Sequence, residues 1–225
     1  MATIPLPSNL PKIPLHEIRE CPIIRHIDDL GIWFRYNAPY VDASNMVMHI
    51  SDTPSTMYPF LKRTLRRLRP AWIIHTGDIV DNVKLEKRSG LLDLYKKKMR
   101  ELLAILSEED YGTIITPGNH DDIPSLLTER AGTSVQVWTS PGRLSLGNFS
   151  FKAGHTFEDV AYEPAQYNLY GHSFDHKTSS TEDGRFFLNA MEYIYLIHIY
   201  TGAVMAIAYP PGTENARLDR KSFSI

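Results

Sequence analysis

An α/β layered domain is the fold class this sequence predicts. Two patterns predict it: from Asn45 onward short apolar runs alternate with helix-period segments, and later the chain changes to closely spaced short strands. The 225 residues, 43% hydrophobic and 22% charged, suit one domain of upper-middle size, since single domains run to roughly 50–250 residues.

The first forty-odd residues stand apart, with six prolines (Pro5, Pro7, Pro11, Pro14, Pro22, Pro39) and no sustained period. They read as an N-terminal extension, residues 1–44, packing on a domain of residues 45–225. Met46–Ile50 (MVMHI) is a buried strand. After the turn at Asp52–Thr56, Pro59 suits a first helical position and Leu61, Leu65 and Leu68 recur at helical spacing until Pro70 closes the helix. Ala71–His75 is the second strand. Leu91–Leu106 is the second helix, with Leu91, Leu94, Tyr95, Leu102 and Leu106 on one side, and Thr113–Thr116 is the third strand. A short helix over Pro124–Arg130 precedes strands at Val135–Val137, Arg143–Leu146, Phe149–Lys152, Asn168–Tyr170 and Arg185–Leu188. A hairpin, Tyr193–Ile199 and Ala203–Tyr209, turns at Thr201-Gly202.

Composition removes several function classes. Lys+Arg 24 against Asp+Glu 26 gives a net charge of −2, without the basic excess of a dedicated nucleic-acid binder. Arg63, Arg66, Arg67 and Arg69, like Lys96, Lys97 and Lys98, read as solvated helix faces. Cys21 is the only cysteine, so neither an intrachain disulfide nor a cysteine zinc site can form, which suits a reducing compartment. No apolar run approaches the ~18 residues of a membrane span, and Met1–Leu15 lacks a signal peptide's pattern. A cytoplasmic protein is expected.

The chemistry-bearing residues fall at the carboxyl ends of the expected strands, where open α/β sheets place their ligand crevice. They are Asp52 (HISDTP), Asp78 and Asp81 (HTGDIVDN), Asn119, His120 and Asp121 (PGNHDD), His155 (KAGHTF) and His172 (YGHSFDH). Singly, each has a plain explanation as a cap, a turn or a core residue. Together, carboxylates, an amide oxygen and imidazoles from several loops suit Mn, Fe or Zn, and a carboxylate such as Asp78 can bridge two ions. Ions about 3.5–4 Å apart can activate water and polarise a phosphoryl oxygen, as in many phosphatases.

The order GDIVD, one helix and one strand, then GNHD resembles the calcineurin-like metallophosphoesterase superfamily, especially its small bacterial and archaeal phosphodiesterase branch, over about Met46 to Tyr209. The resemblance implies a two-layered β-sandwich core flanked by helices (α/β/β/α) and a hydrolase of phosphomonoesters or phosphodiesters with one or two divalent metal ions. It implies Asp52 on a first metal, Asp78 bridging, and Asn119, His172 and a histidine of the KAGHTF loop on a second. His120 would be the acid that meets the leaving group, Asp121 would accompany it, and Asp81 would orient the neighbourhood. His75 is expected to pack rather than ligate.

Two departures weaken the first metal site. The family's Asp-x-His reads Asp52-Thr53-Pro54, and its Gly-His-x-His reads Gly171-His172-Ser173-Phe174. The ligand column of the KAGHTF loop falls on either Ala153 or His155, with His155 preferred. Asp175 and His176 lie near enough in sequence to replace the imidazole missing at Phe174, or are exposed loop residues. The alternative function is a catalytically inactive scaffold with a protein partner or a second copy of itself. The substrate, beyond a phosphate ester, is not legible.

Overall fold

The computed structural model describes residues 42–85 and 89–217. The extension expected over residues 1–44 therefore lies almost wholly outside the described residues.

The larger sheet has the order β11-β10-β1-β2-β3-β4. Its parallel centre is β1 (Met46–Ile50), β2 (Trp72–His75), β3 (Gly112–Ile115) and β4 (Gln136–Val137). The hairpin β10 (Ile194–His198) and β11 (Val204–Ile207) extends it antiparallel, with Met46 opposite His198 and Met48 opposite Leu196. The second sheet has the order β5-β6-β7-β9-β8: β5 (Gly142–Leu146), β6 (Phe149–Ala153), β7 (Tyr167–Tyr170), β9 (Phe186–Asn189) and β8 (Ser179–Ser180).

Strand alternation divides β1 between two cores. Met46, Met48 and Ile50 join the helix-side cluster, whereas Val47 joins Phe151, Tyr167, Leu169, Tyr195 and Ile197 between the sheets. On the helix side lie α1 (Tyr58–Leu68), α2 (Leu92–Leu106) and α3 (Ile123–Glu129). The second sheet's outer face carries α4 (Phe157–Ala161), whose Val160 packs with Tyr170 and Phe187. The molecule is thus an α/β/β/α sandwich, the architecture expected.

Local differences have local reasons. In α1 the chain leaves the helix at Arg69, which adopts a left-handed φ of 49° and donates its amide to the Leu65 carbonyl, one residue before Pro70. In α2 the buried face is Tyr95, Met99, Leu102, Leu103 and Leu106; Leu94, expected among them, is 42% exposed because it lies off that stripe. The Arg63, Arg66 and Arg67 face of α1 is exposed. Helix α4, strand β8 and a last helix, α5 (Thr213–Arg217), are too short for periodicity to find. Among the described residues no helix is long and apolar enough to cross a membrane.

Candidate metal centre

The loops after β1, β2, β3, β6 and β7 meet at one end of the sandwich and bring all the expected site residues into one neighbourhood. Three hold left-handed backbone: Asp52 (φ 48°), Asp78 (φ 53°) and His172 (φ 72°). Non-glycine residues seldom adopt this conformation, and such strain concentrates at functional loops. Two glycines make the close approach possible. Gly77 has φ 103°, and a Cβ there would lie 2.5 Å from the Gly118 amide and 2.6 Å from His155 Nδ1. A Cβ on Gly171 would lie 2.4 Å from Asp52 Oδ2.

Asp78 is the centre. Its Oδ1 accepts from the His120 amide at 3.0 Å, and its Oδ2 lies 3.7 Å from His155 Nε2 and 3.8 Å from His120 Nε2. Ligating atoms of Asp52, Asp78 and His155 fall within 4.8 Å of one another, as do those of Asp78, Asp81 and His120. Burial, followed by the charges of Asp52, Asp121 and Asp81, raises the Asp78 carboxyl to about 9 in the metal-free protein. A carboxylate disfavoured first by burial and then by its like-charged neighbours is one that a cation would stabilise.

On one flank of Asp78 lone pairs converge. His155 Nδ1 lies 2.7 Å from the Thr76 carbonyl, so that nitrogen donates and Nε2 carries the lone pair in the neutral ring. Asn119 Nδ2 lies 3.2 Å from His120 Nδ1, which turns Oδ1 towards His155 Nε2 at 3.0 Å. Two lone pairs then face each other, and His172 Nδ1, 3.1 Å from His155 Nε2, donates to it or adds a third lone pair according to its tautomer. A cation between them resolves this opposition, and imidazole, amide and carboxylate donors suit a borderline divalent metal. Asp78, Asn119, His155 and His172 offer donors of the kinds such an ion takes. Ala153 lies fully buried in the inter-sheet core, so His155 is the residue of this loop that faces the site. Its amide donates to Asp159 Oδ2 within a reciprocal cap, Thr156 with Asp159, at the start of α4.

Asp121 is spent on holding this geometry. Its carboxylate accepts from the amides of Asp78, Ile79 and Gly118 at 2.8, 3.0 and 2.8 Å, and from Tyr95 Oη at 2.9 Å. It thereby ties the β2 loop to the β3 loop that carries His120. His75 is buried in a chain of its own: the Gly77 amide donates to Nδ1 at 3.1 Å, Nε2 donates to Thr53 Oγ1 at 2.9 Å, and Thr53 donates to the Ile79 carbonyl. Burial lowers this imidazole to about 3, so it stays neutral.

Asp52 and Asp81 complete the surroundings of Asp78, the first grouped with Asp78 and His155 and the second with Asp78 and His120. The Asp52 Oδ2 atom accepts from the His172 amide at 3.1 Å. Asp81, 1% exposed, is paired with the Lys84 ammonium. Burial and the Asp52 charge push Asp81 up to about 6, against the pull of Lys84 and Arg217. Phe174 is 39% exposed, in a groove of about 660 Å³ shared with Tyr193, Tyr209 and Pro210. Neither suggested replacement reaches Asp52: Asp175 accepts from Ser173 Oγ, and His176 stacks on Phe157 with centroids 4.1 Å apart. Lys84 and Arg217 went unnoticed in the sequence, where a lone basic residue in a loop or short helix carries no signal.

A two-sheet sandwich with helices on both outer faces, and with carboxylates and imidazoles gathered on the loops at strand ends, defines a class of metal-dependent hydrolases. The chain belongs to the calcineurin-like phosphoesterase family, whose family model matches residues 46–203. Members of that family hold divalent metal ions. One crystal structure superposes with a TM-score of 0.50 at 11% identity, over 74% of this chain and 99% of that one, a likeness of fold. Also similar are Yfce, a phosphoesterase from E. coli (TM-score 0.42, 13% identity, 72% of this chain and 97% of that one), and a protein of unknown function from Aquifex aeolicus (0.38, 14%, 62% and 82%). No curated protein matches the sequence.

Proposed function

We propose that this chain hydrolyses phosphomonoesters or phosphodiesters at a metal centre in which one ion, Mn, Fe or Zn, is held by Asp78, Asn119, His155 and His172, and the Asp52 side is a weakened second position. The observation that carries this reading is the convergence of His155 Nε2, Asn119 Oδ1 and His172 Nδ1 beside the Asp78 carboxylate. A divalent ion bound there supplies Lewis-acid polarisation of a phosphoryl oxygen and lowers the pKa of water.

The chain's own groups do the rest. The Thr76 carbonyl fixes the His155 tautomer. Asp121 locks the relative positions of Asp78 and His120 by binding both loops. His120, with 14% of its side chain exposed at the edge of the centre, is placed to hand a proton to the leaving ester oxygen. The compartment is the cytoplasm, in keeping with Cys21 as the only cysteine.

The test is Mn-stimulated release of nitrophenol from bis-p-nitrophenyl phosphate and from the monoester, abolished by chelator and by Asp78→Asn. A rate indifferent to both overturns the reading. The scaffold alternative draws on Pro54 and Phe174 standing where the family places histidines, and unchanged residual rates would favour it.

A further inference from the structure

The flank of Asp78 that has lost its histidines is closed by the end of the described chain. After β11 the segment passes Tyr209, Pro210 and Pro211, which share the Phe174 groove. Helix α5 then packs against the turn Ser55–Met57, which directly follows Pro54. Both substituted positions therefore border the same segment, and its last helix lies beyond residue 203, where the family match ends.

That helix delivers a buried cation. Arg217 is 3% exposed, and its guanidinium donates to three backbone carbonyls: Nε to Asp52 at 2.8 Å, Nη2 to Ser51 at 3.0 Å and Nη1 to Met191 at 2.9 Å. The Tyr209 ring lies beneath it, 4.1 Å from Cζ to the centroid. No carboxylate is among these partners, and the charge lies close enough to Asp81 to draw its carboxyl down against the push of burial and Asp52. Lys84 brings a second cation, an ammonium, to the cluster through Asp81, whose oxygen lies within 4.8 Å of ligating atoms on Asp78 and His120.

Charge arithmetic follows. Asp52, Asp78, Asp81 and Asp121 form one acidic group: Asp52 and Asp81 each lie within 4.8 Å of Asp78, whose amide donates to Asp121. Lys84 and Arg217 offset half of its charge when all four are ionised, and the remainder equals one divalent ion. We infer that Arg217 and Lys84 provide the positive charge a second ion would bring, so that this centre is built around one divalent ion and two fixed protein cations. The inference rests on the metal reading above and deepens it by naming what fills the weakened position.

Mn²⁺ alone, titrated into the full-length protein after chelation and dialysis, tests this without any turnover measurement. The parent should hold one tight equivalent. Arg217→Met and Lys84→Met should each bind Mn²⁺ about tenfold more tightly or take up a second equivalent, because a buried cluster that loses a compensating cation attracts ions more strongly. Arg217→Lys, which keeps the charge, should stay near the parent. A purely structural arginine predicts the opposite sign, since loosening the Asp52 loop weakens binding. Should Arg217→Met fail to fold by near-UV circular dichroism, Lys84→Met decides: an isotherm identical to the parent's overturns the inference. Weaker or unchanged binding in folded forms of both variants also overturns it. A parent that retains two tight ions overturns it while leaving the phosphoesterase reading intact, and a parent that binds none removes both.

Discussion

The two flanks of Asp78 are built by opposite means. Towards Asn119, His155 and His172 the protein presents lone pairs whose directions are set by hydrogen bonds further out: the Thr76 carbonyl behind His155, the Asp159 cap on its amide, and the His120 ring against the Asn119 amide. Towards Asp52 the protein presents cations instead, with Lys84 on Asp81 and Arg217 behind the Asp52 carbonyl. On the proposed reading, Asp78 faces a metal position on one hand and fixed protein charge on the other. The contrast teaches that one acidic cluster can be partnered by imidazole and amide groups on one side and by basic side chains on the other.

The comparison can be broken most severely at the residue on its rim. His120→Ala should lower turnover about 10²–10⁴-fold, with the larger loss on a poor leaving group, if its imidazole donates the proton. Equal losses on good and poor leaving groups would remove His120 from that role. Asp121→Ala should cost stability before chemistry. Three amides and a tyrosine hydroxyl lose their acceptor, and urea unfolding should report a destabilisation of about 3 kcal/mol or more. A variant as stable as the parent would show that the two loops are held together by other means.

Metal affinity then separates the flanks. His155→Ala should weaken Mn²⁺ binding about tenfold to a hundredfold, and Asp52→Ala by less, because only the first removes a donor from the converging set. The reverse order in a binding isotherm would relocate the ion to the Asp52 side.

The pH dependence of the chelated protein sharpens the same picture. Asp78 is raised in the folded state to about 9 from 3.8, so its contribution is fully present below about 3.8 and is lost as pH climbs towards 9. His49 and His75 are depressed by burial to about 3 from 6.5, so theirs is present above 6.5 and fades as pH falls. Above 6.5 Asp78 acts without opposition from the histidines. Thermal unfolding in chelator should therefore shift down by a few degrees between about pH 6.5 and 9. Added Mn²⁺ should reverse the trend, since it binds the ionised carboxylate. A chelated protein that gains stability over that window would contradict the burial of Asp78 among carboxylates.

The smallest expected effect is informative for its size. Pro54→His with Phe174→His should leave Mn²⁺ stoichiometry near one while Arg217 is present, because returning ligands does not displace a fixed cation. The same pair combined with Arg217→Met should take up the second equivalent. A second ion gained without touching Arg217 would mean that ligand loss alone explains the departure.

The parts of this arrangement that could be read from the sequence are those that advertise themselves locally. Asp78, Asn119 and His120 sit in compact glycine-containing motifs after apolar strands, so their spacing shows both the fold and the end of the sheet where they gather. The strands themselves were visible as apolar runs of about five residues, whereas their stacking as two sheets was implied by the family resemblance. What escaped is set by distance or brevity. Arg217 meets Asp52 across 165 residues through backbone carbonyls, an acceptor every residue possesses and which leaves no trace in side-chain identity. Helix α4 has only five residues, although Thr156 and Asp159 three positions apart carry a readable cap. Leu94 misled because a leucine beside the buried stripe looks the same in sequence as one upon it.

The separation between Asp52 and Arg217 also orders events in time. At roughly 5–20 residues per second, a ribosome needs on the order of ten to thirty seconds to travel that distance. Throughout that interval every carboxylate of the centre exists before the arginine that offsets it, and β1 still awaits its antiparallel neighbour β10. Until Arg217 arrives, the Ser51, Asp52 and Met191 carbonyls lack the donor that holds them in the finished protein, so the loop after β1 takes its final partner only when the last described helix has been made.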